Sequence, residues 1–433
     1  MNKQPAIPLW RVFVPICFGT AVSLLGDTSI YTVLPTNTAN AGIVVASLGI
    51  MLSANRWIRL FSNSPAGWLS DRWPRRWVFV PAMFLGAFST ALYAIGGGYW
   101  PLLIGRLLWG IAWSGIWVSG NAIVMDVATP QNRGRLVGIY NVAFFTGAGT
   151  GSFLGGVLAD SVGYEWTFWI EAAITAVGAI VALVMLPETK QLAVSSKQLS
   201  GNSEQLAEDS GGVEADTHYA SRAASHAITH STSTQLISAN ALMTINRIVG
   251  AGLVLPTLGL YLAELFGESV GINGRLFGTT TLTGLGLSLS TYLGMAFVPI
   301  AGSLSDRLGN RWRVVVAGLV PGVVGFLLLS LGWPWAIFLG LIGFSIASGS
   351  NQGLATAVVG DLAGEKRQGR LLGILFTMGD LGSAIGPIVV FALIETISLA
   401  LIYRTAAVLL ALMLIVSLFL SLQNGKMRLA TEP

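Results

Sequence analysis

Apolar residues run through this chain in long blocks instead of alternating or recurring on one face. Residues 168–186, FWIEAAITAVGAIVALVML, and 406–422, AAVLLALMLIVSLFLSL, hold one ionisable side chain between them, Glu171. Each approaches the ~20 residues that a helix needs to cross a hydrocarbon core of about 30 Å. The same pattern predicts twelve spans, at 9–35, 43–69, 77–98, 100–125, 136–159, 165–187, 236–266, 278–304, 313–332, 334–359, 370–395 and 398–422. They exceed the ~9–11 residues of a transmembrane strand, so the expectation is an all-α integral membrane protein. The first block ends in Asp27 to Pro35 with no small-residue cleavage site, and it reads as the first membrane helix, not a removable leader.

One polar stretch breaks the pattern. Residues 188–235 are rich in Ser, Ala, Gly and mixed charge, and bury too little apolar surface to offset the entropy of ordering. They read as a solvated, partly helical tether between an N-terminal half, 1–187, and a C-terminal half, 236–433.

A fixed offset of 235 residues relates those halves. Gly67, Asp71, Arg72, Arg76 and Trp77 map onto Gly302, Asp306, Arg307, Arg311 and Trp312. Asp126, Gly134, Arg135 and Gly138 map onto Asp361, Gly369, Arg370 and Gly373, and Gly147 and Gly151 onto Gly382 and Gly386. Two pseudo-symmetric six-helix units place a binding site between them near the bilayer midplane, the architecture of translocation.

Composition narrows the classes. Charged residues make up 10% of the 433, against about 25% in soluble proteins. With the N-terminus in the cytoplasm, only Arg275 among the loop Lys and Arg falls outside, which predicts cytoplasmic N- and C-termini. The net charge of +4 therefore expresses topology and gives no reason to expect nucleic acid. Cys17 is the only cysteine, and His218, His226 and His230 all lie in the tether, so no metal centre or other cofactor is expected. No Gly-x-x-x-x-Gly-Lys-Ser/Thr loop is present to drive a pump with ATP, and the chain reads as a non-enzyme. Short tails make a bacterial inner membrane, and a monomer in it, the expected setting.

The repeated phrases GWLSDRWPRR, 67–76, and GSLSDRLGNR, 302–311, resemble the loop motif of the major facilitator superfamily, Gly-x-Leu-x-Asp-Arg-x-Gly-Arg-Arg/Lys. Pro74 stands for the usual Gly in the first copy and Asn310 for a basic residue in the second. Arg106 and Gly110 are similar to the Arg-x-x-x-Gly motif of helix 4. Gly147, Gly151, Gly155 and Gly156 resemble the antiporter motif of helix 5, with Ser152 where that motif has Pro. The resemblance implies alternating access, a small-molecule substrate, and coupling to protons or sodium. It also implies a cytoplasmic gate from Asp71, Arg72, Arg76, Asp126, Arg135, Asp306, Arg307, Arg311, Asp361 and Arg370. A carboxylate there suits an adjacent helix N-terminus, whose unpaired NH groups favour negative charge. Gly147, Gly151 and Gly155, four residues apart, with Gly386 in the second half, are expected to let helices approach closely.

Ionisable groups at membrane depth are expensive and are functional candidates. Asp27 and Arg106 fall within roughly 3 Å of the same depth at 1.5 Å per residue, and so form an expected pair. Asp380 is matched in the same way with Arg247. The two aspartates are the proton-coupling candidates. Asn55, Arg56, Arg59 and Asn63 share one face of helix 2, and Asn55, Arg56, Arg59, Arg106, Trp113 and Arg247 are the substrate-cavity candidates. Two readings stay open. Trp109, Trp113, Trp117 and the helix 5 glycines suit proton-coupled efflux of an amphipathic compound, whereas four central arginines against two aspartates suit an organic-anion importer or exchanger. A non-transporting sensor is a third.

Overall fold

The computed structural model describes residues 8–129, 131–190, 222–272 and 274–429, with side chains for all of these except 222–232, 272, 364–368 and 424–429. The described chain is helical nearly throughout. Its helices are α1 (Leu9–Val33), α2 (Leu48–Arg72), α3 (Arg76–Ala94), α4 (Tyr99–Val127), α5 (Arg133–Val162), α6 (Tyr164–Met185), α7 (Arg222–Arg247), α8 (Leu255–Phe266), α9 (Thr279–Leu308), α10 (Arg311–Leu329), α11 (Pro334–Leu393) and α12 (Leu399–Leu429). Among the described residues, ten helical stretches are long and apolar enough to cross a membrane. Of the twelve expected spans, α2 falls short because of Asn55, Arg56, Arg59, Asn63, Asp71 and Arg72. The first part of α11 falls short because it is rich in Gly and Ser.

Two elements differ from the sequence pattern. The seventh span is α7 and α8 joined by a wider π turn, Ile248–Val254, and α7 starts within the expected tether. Residues 222–235 contain neither Gly nor Pro, so nothing in them stops the helix. The rest of the tether, 191–221, lies outside the described residues, as does His218. The 60 residues of α11 contain the tenth and eleventh spans. A Cβ on Gly250 would meet Phe344 at 3.4 Å, and one on Gly252 would meet Gly386 at 2.7 Å. Residues 344 and 386 would stand about 60 Å apart on a straight helix. The chain therefore doubles back within α11, giving two limbs.

Aromatic side chains mark both ends of the bundle. Trp68, Trp73 and Trp77 are exposed where α2 meets α3, and Trp100, Trp166, Trp333 and Trp335 are exposed near the opposite ends of their helices, the distribution of interfacial belts. Between α8 and α9 a small antiparallel hairpin, β1 (Ser269–Ile272) and β2 (Arg275–Gly278), turns at Gly274 with φ +78°.

Glycine decides where the halves touch. On α5, a Cβ on Gly147 would lie 2.3 Å from Ala21 O, and one on Gly151 2.1 Å from Thr28 Oγ1, so this face is filled by α1. The other face meets α9: a Cβ on Gly156 would lie 2.4 Å from Thr280 O, and one on Gly284 2.3 Å from Ser152 O. Across the bundle, Gly49 of α2 abuts Pro387 and Ile388 of α11. These contacts between halves all lie toward the face opposite the charged loops. There a shared apolar core joins Ile30, Leu48, Leu52 and Phe168 to Phe391, with Leu255 and Ile394 packed against it.

At the charged-loop face the glycines are not buried in this way. A Cβ on Gly134, Gly138, Gly302, Gly369 or Gly373 would meet nothing within 4 Å. Among the described residues, these glycines have none of the close contacts that join the halves at the opposite end. Gly151→Val is expected to lower the thermal midpoint in detergent, since overpacking costs about 1–3 kcal/mol, while Gly302→Ala leaves it unchanged; equal midpoints would contradict this packing.

Candidate functional site

The first cluster lies inside the N-terminal half. Arg106 of α4 is 0% exposed and spends every side-chain nitrogen on a neighbour. Its Nη1 donates to Asp27 Oδ1 at 2.7 Å, Nε to Met51 O at 3.1 Å and Nη2 to the Tyr31 hydroxyl at 2.9 Å. Its guanidinium also sits 5.1 Å from the Tyr31 ring centroid. Asn55 Nδ2 adds a second donor to Asp27 Oδ1 at 3.2 Å. The depth-matched pair is therefore present, and each side-chain nitrogen of the fully buried Arg106 is already engaged by the protein.

The second cluster lies on the seam between halves. Arg59 Nη2 of α2 donates to Asp380 Oδ2 of α11 at 3.1 Å, with 12% and 19% of the two side chains exposed. Asp380 thus pairs with Arg59 across the seam, not with Arg247 as depth matching alone predicts. Spans of opposite halves face one another here, whereas depth carries no information about azimuth. Arg247 lies close by, its stem beside Gly379 and Gly382, and interacts electrostatically with Asp380, Arg56 and Arg59. Arg56 and Arg59 each keep a buried Nε without a hydrogen-bond partner. Among the described residues neither Arg56 nor Arg247 forms an ion pair within 4 Å.

Asn63 turns toward α4, where Ser114 Oγ donates to its Oδ1 at 2.7 Å. Trp113 is 5% exposed and stacks between Trp109 and Trp117, with Phe144 of α5 against it. The tryptophan column is part of the N-terminal core.

The charged-loop residues form one network in each half. In the C-terminal half Arg311 grips Asp361 through Nε at 2.7 Å and Nη2 at 3.4 Å, and its Nη1 reaches Asp306 and Ser305, each at 2.6 Å. In the N-terminal half the matching centre is Arg75, bonded to Asp126 at 3.3 Å, Asp71 at 3.2 Å and the Ser70 hydroxyl at 3.0 Å. The 235-residue offset had given that position to Arg76, which instead donates to Leu183 O. Pro74 where the second copy has Gly309 accompanies the one-residue slip. Arg72 lies over the Trp68 ring, and Arg135, Arg307 and Arg370 are exposed.

The helix-terminus role expected of Asp71 falls to Glu188, a residue the sequence reading passed over. Its two oxygens accept from Arg75 N at 2.9 Å and Arg76 N at 3.2 Å, at the start of α3, satisfying amides that a helix leaves unpaired. Asp71 and Asp306, with side chains 79% and 65% exposed, pair only within their own halves among the described residues.

The sequence profile of the Major Facilitator Superfamily matches residues 16–273 and 241–431. An uncharacterized MFS-type transporter of Mycobacterium tuberculosis is 27% identical over 180 residues, covering 41% of this chain and 26% of that protein. MdtD of Yersinia pestis, named for multidrug resistance, is 24% identical over 201 residues, 44% of this chain and 41% of its own length. The chain thus spans less than half the length of these curated relatives.

In fold, it is similar to a bacterial homologue of the human lysosomal transporter Spinster, solved inward-facing and occupied: TM-score 0.71, 14% identity, 94% of this chain and 96% of that one. It is also similar to the nucleoside transporter NupG, with TM-score 0.71, 16% identity and 93% and 99% coverage. The human organic anion transporter MFSD10 gives TM-score 0.62 at 21% identity, with 96% and 100% coverage.

Removing one member of the buried pair is expected to strand the other. Asp27→Ala should lower stability by about 3–5 kcal/mol, and Asp27→Leu with Arg106→Met should recover most of it, read as denaturation midpoints in detergent. An unchanged midpoint for Asp27→Ala would contradict the pair.

Proposed function

The chain belongs to the major facilitator superfamily, and from that premise we propose that it is a secondary transporter whose substrate is a small organic anion held by Arg56, Arg59 and Arg247. The observation that carries this reading is the charge balance at the seam. Three guanidiniums surround Asp380, the other nearby carboxylate, Asp27, is already bonded to Arg106, and Arg56 and Arg59 each keep a buried donor without a partner. Unpaired buried donors and charges are costly. A carboxylate or phosphate accepting from the planar guanidinium forks removes that cost.

The same geometry suggests how a proton is coupled. A substrate carboxylate binding Arg59 displaces Asp380. A carboxylate released from its cation in a partly desolvated site is cheaper neutral than charged, so it takes up a proton. Anion and proton then move together. A cationic substrate would compete with the proton for Asp380 and produce exchange instead. Efflux of an amphipathic compound is the second reading, favoured by the likeness to MdtD and by the helix 5 glycines. The Trp109–Trp113–Trp117 column supports it less, because those rings are packed into the core.

Alternating access follows from the two ends of the bundle. We assign the charged-loop face to the cytoplasm and read it as the open end of this conformation. In the alternate state the glycine contacts of α5 with α9 and of α2 with α11 part, and the exposed Asp71 and Asp306 become available to bridge the halves. The internal tether, the 12-span topology with both termini inside, and a bacterial inner membrane complete the reading.

The test uses liposomes with a trapped pH dye and a panel of organic anions and cations. Anion entry should carry protons in the same direction. Arg56→Gln should reduce it roughly tenfold or more, since a hydrogen bond to a charged group is worth about 1.5–3 kcal/mol. Asp380→Asn should keep anion exchange while losing its dependence on the pH gradient. Proton release opposite to cation uptake, unaffected by Arg56→Gln, would overturn the anion reading in favour of efflux.

A further inference from the structure

Glu171 lies on α6, outside the seam and apart from both central ion pairs. It is 0% exposed, yet no cation lies within 4 Å of it among the described residues. Its Oε1 is hydrogen-bonded with the Ser29 hydroxyl of α1, and its Oε2 is buried without a partner. Ser29 Oγ is also 2.8 Å from Gly151 O of α5.

Counting protons decides the arrangement. A serine hydroxyl has one proton to give and two lone pairs with which to accept. If Glu171 were ionised, Ser29 would have to choose between the carboxylate and Gly151 O. One of two short contacts would then set oxygen against oxygen with no proton between, and a bare charge would remain in the core. With a proton on Glu171 both contacts are filled in sequence: Oε1–H donates to Ser29 Oγ, and Ser29 Oγ–H donates to Gly151 O. We propose that Glu171 is a third proton-binding site, occupied in this conformation, whose bound proton ties α6 through α1 to the glycine face of α5.

The acids around it are placed elsewhere, and the neighbouring tyrosines, with the Tyr93 and Tyr164 hydroxyls buried without a partner, carry no positive charge. On α1, Asp27 is held by Arg106 and Asn55, and the Tyr31 hydroxyl donates to Leu52 O. On α3, the Tyr93 ring meets Phe168 edge-on. On α5, Asp160 accepts from Thr281 N of the opposite half. On α6 itself, Tyr164 stacks edge-on with Phe168, and Glu165 lies beside Gly96. None supplies a counter-charge, so a proton is the neutralising partner that remains. The helix it steadies, α5, is the one whose other face seals against α9.

Infrared spectroscopy of the full chain in nanodiscs tests this directly. At neutral pH the wild type should show a protonated carboxylic acid C=O band that Glu171→Gln lacks, the amide NH2 of Gln preserving the donation to Ser29. Loss of a carboxylate band in the variant, with the acid region unchanged, would overturn the proposal. Should Glu171→Gln not fold, Ser29→Ala reads the same group. The acid band should move to higher frequency when its hydrogen bond is removed, and an unshifted spectrum would count against the site.

Discussion

A charge cannot sit in hydrocarbon without a partner or water, and this single cost organises the molecule. It explains why Arg106 is wrapped by Asp27, Met51 O and Tyr31, and why Asn55 points at the same carboxylate. That ion pair is made within one half, with Asn55 Oδ1 left as its unpartnered acceptor. The remaining central charges cannot be closed off in the same way. Arg56, Arg59 and Arg247 outnumber Asp380, so they stand on the seam between halves, where solvent or a ligand can reach them. The excess positive charge and the position of the seam are thus one fact seen twice.

Backbone contact supplies the complementary constraint. The absence of Cβ atoms at Gly147, Gly151, Gly156, Gly284 and Gly386 lets helices approach until main chains touch. Between α5 and α9 this close packing is joined by a few hydrogen bonds, Thr281 N to Asp160 and Thr281 Oγ1 to Gly156 O among them. At the other face, charge replaces glycine contact. Arg75 and Arg311 each gather two aspartates and a serine within their own halves. The two ends of the bundle are therefore built from different chemistry, close backbone packing at one and ion pairs within each half at the other.

Much of this was legible in the sequence. Block length gave the twelve spans and the all-α membrane class, and four-residue glycine spacing identified the face of α5 that α1 fills. Helical rise alone brought Asp27 and Arg106 to one depth. The features that stayed hidden share a cause: they depend on azimuth or on local register. Depth could not say that Asp380 faces Arg59 instead of Arg247. A constant offset could not reveal that Pro74 accompanies a shift of the network centre from Arg76 to Arg75. Glu188 sits just after an apolar block, where an acid reads as ordinary solvated end-of-helix charge, although its oxygens cap α3. Glu171, seven residues into its helix, reads as near-surface, and only the packing of α1 shows it to be enclosed. The Asn-Gly pair at 273–274 was an available hairpin signal that the apolar pattern overshadowed.

The claim on which the account rests is that the seam recognises negative charge, and binding tests it without any assumption about transport direction. Thermal unfolding of the purified protein would be followed with an aromatic carboxylate, its uncharged amide and its amine counterpart, in wild type and Arg56→Gln. A ligand at 100 times its Kd stabilises by about 2.7 kcal/mol. The account predicts that the carboxylate alone raises the midpoint and that Arg56→Gln removes the effect. Stabilisation by the amine, or equal stabilisation by all three compounds, would contradict it.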